Sequence, residues 1–388
     1  MRALSRKTFY LTLYLCLSAC GYNSDKNKQK EATPECVGSQ ISGEYLVQWK
    51  SGEVEVVRFT EEKIDQFIDE NEKQILFLEP HYRISQAPSQ TYLAHPPLNN
   101  PVYFSNLGKG VRVGVVDAGV DTSHALLQNA LEKNFVEEQG VTGVDDDRNG
   151  YIDDVWGWNF VNGTPEMNDE KGHGTHVSGT IAGSPSGEFS GIASQAKIIA
   201  ADFMDGEKGT AENAYHAVNY VIARGVHIVN ASWTTPFCSK ILEGAFIGSS
   251  RKNILFVFAA GNSGEDLRIK PVYPASLHLT NKLTVGSVTK DHTVSTFSNY
   301  GTPVQIYSPG EQVFSLLPSA LSSTGMGYMD GTSMSAAYVS GVAAALKSLR
   351  LHLSSSEIME IILTTAENYD GRVVINYDRA LRKILDTP

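Results

Sequence analysis

Three short stretches of this chain pair a reactive side chain with small neighbours. Asp117 closes the apolar run Val113-Gly114-Val115-Val116 and is followed by Ala118-Gly119. A carboxylate at a strand end before a turn glycine stands where open α/β sheets build their sites. Taken alone, an Asp at a strand end more often caps the next turn. His173 lies between Gly172 and Gly174 in the stretch Gly172-His173-Gly174-Thr175-His176-Val177-Ser178-Gly179-Thr180. Glycine on both sides lets the backbone come close to a ligand. Ser333 opens the small-residue run Ser333-Met334-Ser335-Ala336-Ala337 after Gly331-Thr332. A serine at a helix start has its hydroxyl near unpaired N–H groups that favour developing negative charge. Singly, an N-cap is the favoured reading. A serine hydroxyl is a poor nucleophile at neutral pH, and an imidazole oriented by a carboxylate is what activates it.

The elements that must position these residues are legible from periodicity. Apolar, β-branched runs at 111–116, 197–201, 226–229, 254–259 and 283–288 alternate with helical stretches such as 211–224 and 333–350. Near-continuous apolar strands suit a parallel sheet covered on both faces. The predicted fold is therefore α/β, with a mostly parallel central sheet and helices on both faces, over residues 102–388. A small α+β unit precedes it over 43–85: two alternating strands (44–49 and 54–59), a helix with Ile64, Phe67 and Ile68 on one face, and a buried strand from Ile75. Residues 86–101, with Pro88, Pro96, Pro97 and Pro101, read as a linker. The chain has 388 residues, 41% apolar and 19% charged, which suits one large domain plus a small one. Its net charge of −11 argues against a nucleic-acid surface.

Asp117, His173 and Ser333, in this order and with these flanks, resemble the subtilisin-like serine proteases. The family patterns are Asp-Thr-Gly, His-Gly-Thr-His-Val-Ala-Gly and Gly-Thr-Ser-Met-Ala-x-Pro. A fourth match is Ala259-Ala260-Gly261-Asn262-Ser263-Gly264, where the family's oxyanion asparagine falls on Asn262. The resemblance covers residues 43–388 and implies a serine endopeptidase. Ser333 is the implied nucleophile, His173 the base, Asp117 its orienter, and Asn262 with the Ser333 N–H the oxyanion site. His176 is not the implied base. The resemblance also implies that Ser232 and Trp233 wall the specificity pocket, that Lys208 and Gly209 pair with extended substrate, and that Gly261 faces the substrate. This chain departs at Ala118, at Ala337 in place of proline, and at Asp330 before the Gly-Thr-Ser. Residues 43–85 resemble the family's inhibitory propeptide, shortened by one helix. A related fold kept as an inactive surface-binding protein is the rival reading, and the filled catalytic positions weigh against it.

Asp145-Asp146-Asp147-Arg148-Asn149-Gly150-Tyr151-Ile152-Asp153-Asp154 places oxygen ligands at alternate positions before a glycine, as at the start of a calcium loop. Asp145, Asp147 and Asn149 are the expected side-chain ligands and Tyr151 the carbonyl one, with Asp153 and Asp154 beside them. Trp156 at the twelfth position rules out a complete EF-hand. Structural calcium is the expected cofactor. At the N-terminus, Arg2, Arg6 and Lys7 precede a short apolar run ending in Leu17-Ser18-Ala19-Cys20, which looks like a bacterial lipoprotein signal over 1–19 with lipid on Cys20. Residues 20–42 read as a polar tether. The expectation is an exported, membrane-anchored monomer acting on proteins or peptides, with its own 43–85 segment as a partner. Of the four cysteines, Cys36 and Cys238 remain to form a disulfide after export.

Overall fold

The computed structural model describes residues 40–60, 63–85, 90–92, 107–167, 169–187, 189–206, 208–249 and 252–386. In the N-terminal unit, β1 (Gln40–Trp49) and β2 (Val54–Arg58) form a hairpin, α1 (Ile64–Asn71) follows, and β3 (Ile75–Ser85) pairs antiparallel with β1. A three-residue strand, β4 (Gln90–Tyr92), lies within the stretch predicted as linker. The large body then runs β5 (Arg112–Asp117), α2 (Phe135–Glu138), β6 (Gly157–Asn159), α3 (His173–Ala182), β7 (Lys197–Asp202), β8 (Met204–Asp205), β9 (Lys208–Thr210), α4 (Ala211–Ala223), β10 (Ile228–Ala231), α5 (Lys240–Gly248), β11 (Leu255–Ala259) and β12 (Lys282–Val288). It ends with β13 (Ile306–Pro309), β14 (Val313–Leu316), β15 (Met326–Asp330), α6 (Thr332–Leu349), α7 (Ser355–Thr365), β16 (Glu367–Tyr369), β17 (Arg372–Val374) and α8 (Tyr377–Leu385).

The central sheet has the strand order β16-β17-β13-β12-β11-β10-β5-β7-β6. Every neighbouring pair is parallel except β16 with β17 at one edge. Successive side chains on a strand point to opposite faces, and here both faces are cores. Val113 and Val115 join Val177, Ile181 and the small residues of α6 on one side. Val116 joins Val218, Val221 and Phe246 on the other. That double burial is why these strands are apolar at nearly every position.

The N-terminal unit uses the same alternation to bind the large body. Tyr45 and Val47 of β1 pack on Ile68 of α1, while Leu46, Val54 and Ile84 enter the core that holds α4 and α5. β3 also pairs antiparallel with β9, so β2-β1-β3-β9-β8 form one sheet spanning both parts. Among the described residues no helix is long and apolar enough to cross a membrane. Cys20, Cys36, the signal assigned to 1–19 and residues 20–39 of the tether lie outside the described residues, whereas Gln40–Ser42, also assigned to the tether, already belong to β1 because that strand pairs with β3 from Gln40 onward.

Candidate active site

Asp117 is the last residue of β5 and is buried. Its Oδ1 lies 2.6 Å from His173 Nδ1 and also accepts the Ala118 N–H at 2.8 Å. His173 is the first residue of α3. The helix can start this close to the β5 turn only because residue 174 has no side chain: a Cβ there would stand 1.9 Å from the Gly119 carbonyl oxygen. Ser333 sits in the first turn of α6, straight after β15, and Gly331 makes that junction at φ 152. Such a backbone angle favours glycine. α3 and α6 pack against each other and both rest on β5.

The Ser333 hydroxyl donates to the Ser232 carbonyl at 2.9 Å, and the Ser232 hydroxyl donates to the Ser333 carbonyl at 3.1 Å. The Thr332 N–H (2.9 Å) and hydroxyl (2.7 Å) both donate to Asn262 Oδ1. This spends the amide oxygen and turns Nδ2 toward Gly331, where an added Cβ would meet it at 3.1 Å. The Gly261 N–H donates to Thr332 Oγ1 at 3.0 Å and its carbonyl accepts from Asn299 at 2.9 Å, so the Asn262 loop is held from both sides. An amide N–H and a helix N-terminus thus flank Ser333, which suits stabilisation of an oxyanion. His176 is fully buried, its Nε2 is 3.0 Å from the Val313 carbonyl, and burial, then the neighbouring His173, push its pKa down to about 3. It stays neutral and cannot serve as the proton acceptor.

The residues expected to meet substrate divide. Lys208 and Gly209 lie on β9, and Ser85 and Ile84 of β3 already pair with them, with Arg83 opposite Thr210. On β15, Asp330 pairs with Gln90 of β4, three positions before Ser333. Trp233, expected at the pocket wall, has its side chain in the core, with its indole N–H on the Val116 carbonyl at 3.1 Å. That position can offer a substrate only its backbone.

The acidic segment folds differently from a loop with alternating ligands. Glu137, Asp147 and Asp154 bring one carboxylate oxygen each within 4.8 Å of one another. Asp145 instead accepts the N–H groups of Asn149 (3.0 Å) and Gly150 (2.8 Å), and Asp153 accepts that of Gly143 (2.8 Å). Asn149 Nδ2 is 3.1 Å from both Asp147 and Asp154, its Oδ1 accepts the Tyr151 N–H, and Tyr151 packs its ring among Trp158, Phe160 and Tyr220. Of the six expected ligands, Asp147 and Asp154 enter the cluster, and Glu137 was missed. Nothing in the sequence marked it: its burial and its place in the four-residue helix α2 appear only in the structure. Three carboxylates, two of them buried, form the hard, all-oxygen set that calcium takes.

Two further residues escaped sequence reasoning. Buried Glu79 of β3 accepts from the Ser239 hydroxyl and from the Lys240 N–H (2.8 Å), at the start of α5. Beside it, Tyr82 stacks on Phe237 with centroids 4.2 Å apart, and Cys238 is disulfide-bonded. Buried Asp169, four residues before His173, accepts the Thr175 N–H at 2.7 Å.

The model of the "Subtilase family" matches residues 108–380. "Subtilisin-like protease 1" of Plasmodium vivax is 30% identical over 272 residues, covering 65% of this chain and 42% of that protein. The "Major intracellular serine protease" of Bacillus subtilis is 33% identical over 263 residues, covering 65% of this chain and 74% of its own length. The chain thus spans less than half the length of the Plasmodium relatives it matches. Among solved structures, a cold adapted subtilisin-like serine proteinase superposes with a TM-score of 0.57 at 28% identity, over 72% of this chain and 92% of that one. Fervidolysin from Fervidobacterium pennivorans reaches a TM-score of 0.69 over 92% of this chain and 62% of its own, a likeness of fold alone at 19% identity.

Proposed function

The chain belongs to the subtilase family, and on that footing we propose that it is a serine endopeptidase that cuts extracytoplasmic proteins through an acyl-enzyme. The observation that carries this is the buried Asp117–His173 contact at 2.6 Å, beside a serine at a helix N-terminus and an asparagine amide fixed by Thr332. Ser333 Oγ turns from the Ser232 carbonyl and attacks the peptide carbonyl. His173 takes the serine proton and passes it to the leaving amine. Asp117 keeps the imidazole in the required tautomer and steadies its charged form. Asn262 Nδ2 and the Ser333 N–H receive the oxyanion. Water, deprotonated by His173, then releases the acyl group. Ser333→Ala should fold as the wild type, lose peptide hydrolysis and lose labelling by a fluorophosphonate. Hydrolysis at the wild-type rate in that variant would refute the reading.

The N-terminal unit acts as the propeptide in this proposal. The pairing of β3 with β9 supports it, because an extended substrate would add to the same edge by backbone hydrogen bonds. β3 ends at Ser85 and β4 begins at Gln90, so the maturation cut falls between them, within the predicted linker. Upstream, Cys20 carries the lipid that anchors an exported protein. Every cysteine other than Cys238 precedes β1. An intrachain disulfide to Cys238, with Cys36 as its partner, therefore keeps the cleaved pieces together at the membrane. Calcium, held by Glu137, Asp147 and Asp154, would neutralise their charge and tie α2 to the loop beneath it; the reaction does not pass through it.

A further inference from the structure

We infer that Asp169 is a positioning residue for His173: it fixes the first turn of α3, and its charge is felt at the imidazole. The inference rests on the serine-protease reading above.

Helix α3 starts with first-turn N–H groups that need acceptors. Its N-cap, Gly172, has no side chain to supply one. Asp169 does so from outside the helix, through Oδ2 on the Thr175 N–H at 2.7 Å. The Thr175 hydroxyl accepts the Asp121 N–H at 2.8 Å and also hydrogen-bonds the Asp169 side chain. Asp121 lies four residues after Asp117 in the loop that leaves β5. One threonine therefore joins the Asp117 loop, the His173 turn and Asp169.

A cap needs only one carboxylate oxygen. The other, Asp169 Oδ1, is buried with no hydrogen-bond partner. Burying an oxygen this way is costly and calls for a role. The titratable groups around it suggest one. Burial, then the Asp117 charge, push Asp169 up to about 7, against the pull of the Thr175 hydrogen bonds and of His173. His176 on the same helix stays neutral. The Asp121 carboxylate is engaged by Ser123, Glu170 and Lys171 are exposed, and the Leu317, Pro318 and Leu321 side chains packed near Gly172 carry no charge. When His173 accepts the Ser333 proton, the imidazolium favours an ionised Asp169, and the two titrate as a coupled pair. Asp169 takes no part in the covalent step; the proton moves from Ser333 Oγ to His173 Nε2.

Asp169→Asn keeps an oxygen for the Thr175 N–H and removes the charge, whereas Asp169→Ala removes both. The test follows the His173 imidazole signals by NMR in the full chain across pH, alongside the pH profile of kcat/KM. Asp169→Asn should lower the His173 titration by about 0.5 unit or more and move the acid limb with it, at unchanged KM and near wild-type Tm. Asp169→Ala should show the same shift with a lower Tm. An unshifted imidazole titration in Asp169→Asn reduces the residue to a cap and overturns the inference. The NMR titration needs no turnover, so a wild type without Ser333-dependent hydrolysis refutes the protease reading separately.

Discussion

Glu79 makes docking of the N-terminal unit sensitive to pH, and the sign follows from where its proton is held more tightly. In the docked chain, burial raises its pKa from 4.5 to about 7, although the Ser239 hydroxyl and the Lys240 and Ile241 N–H groups pull the other way. Once undocked, the side chain is in water and returns to its ordinary value. The docked state therefore binds the proton better, and docking weakens as pH rises. The penalty is absent below pH 4.5, grows from there to about pH 7, and is complete above it. Two and a half pH units at about 1.36 kcal/mol each give about 3 kcal/mol, or roughly a hundredfold or more in the docking equilibrium. Glu79→Gln removes the titration and gives up one hydrogen-bond acceptor, which costs about 1 kcal/mol. The assay is amide hydrogen exchange along β3, in a Ser333→Ala background that prevents cleavage, at pH 5 and pH 8 after correction for intrinsic exchange. The parent should lose β3 protection between the two pH values, and Glu79→Gln should not. At pH 8 the glutamine variant should be the better protected of the two. A pH slope that survives in Glu79→Gln would refute the reasoning and shift attention to the His81–Glu44 pair, 2.9 Å apart in the same unit.

Two other outcomes follow from the structure. Chelation should lower Tm by roughly 5 °C if calcium is present at about a hundred times its Kd; Glu137→Gln should erase that dependence, and a chelator-insensitive wild type would exclude a bound structural ion. After maturation, mass spectrometry should find a new N-terminus between Gln86 and Gln90, and the processed body should leave the membrane fraction only with reductant; release without reductant would dismiss the disulfide as the tether.

What the sequence determined by itself is what contiguous residues encode. Asp117 at a strand end, His173 between glycines and Ser333 after Gly331-Thr332 each sit in a motif whose local conformation is set within a few residues. Five inner strands of the central sheet, β5, β7, β10, β11 and β12, were legible because burial on both faces leaves no polar alternation to obscure them, whereas the short strands β6, β13, β16 and β17 carried no such run. Helix α6 was placed within one residue at each end for the same local reasons. Tertiary structure alone decided which side chains share a partner. Asp145 has the spacing of a ligand, yet its oxygens are spent on the N–H groups of its own turn, while Glu137 joins Asp147 and Asp154 because α2 folds back over that loop. Trp233 adjoins a motif residue but is drawn into the core by an acceptor at Val116, 117 residues away in the chain and brought close because β5 and β10 are neighbours in the sheet. Glu79 finds its donors at Ser239 and Lys240, and Asp169 comes to lie near Asp117, only once β10, β5 and β7 are side by side. A carboxylate's local sequence sets its reach, but its partner is whichever donor the sheet order and helix packing bring to it, and neither is written in the neighbouring residues.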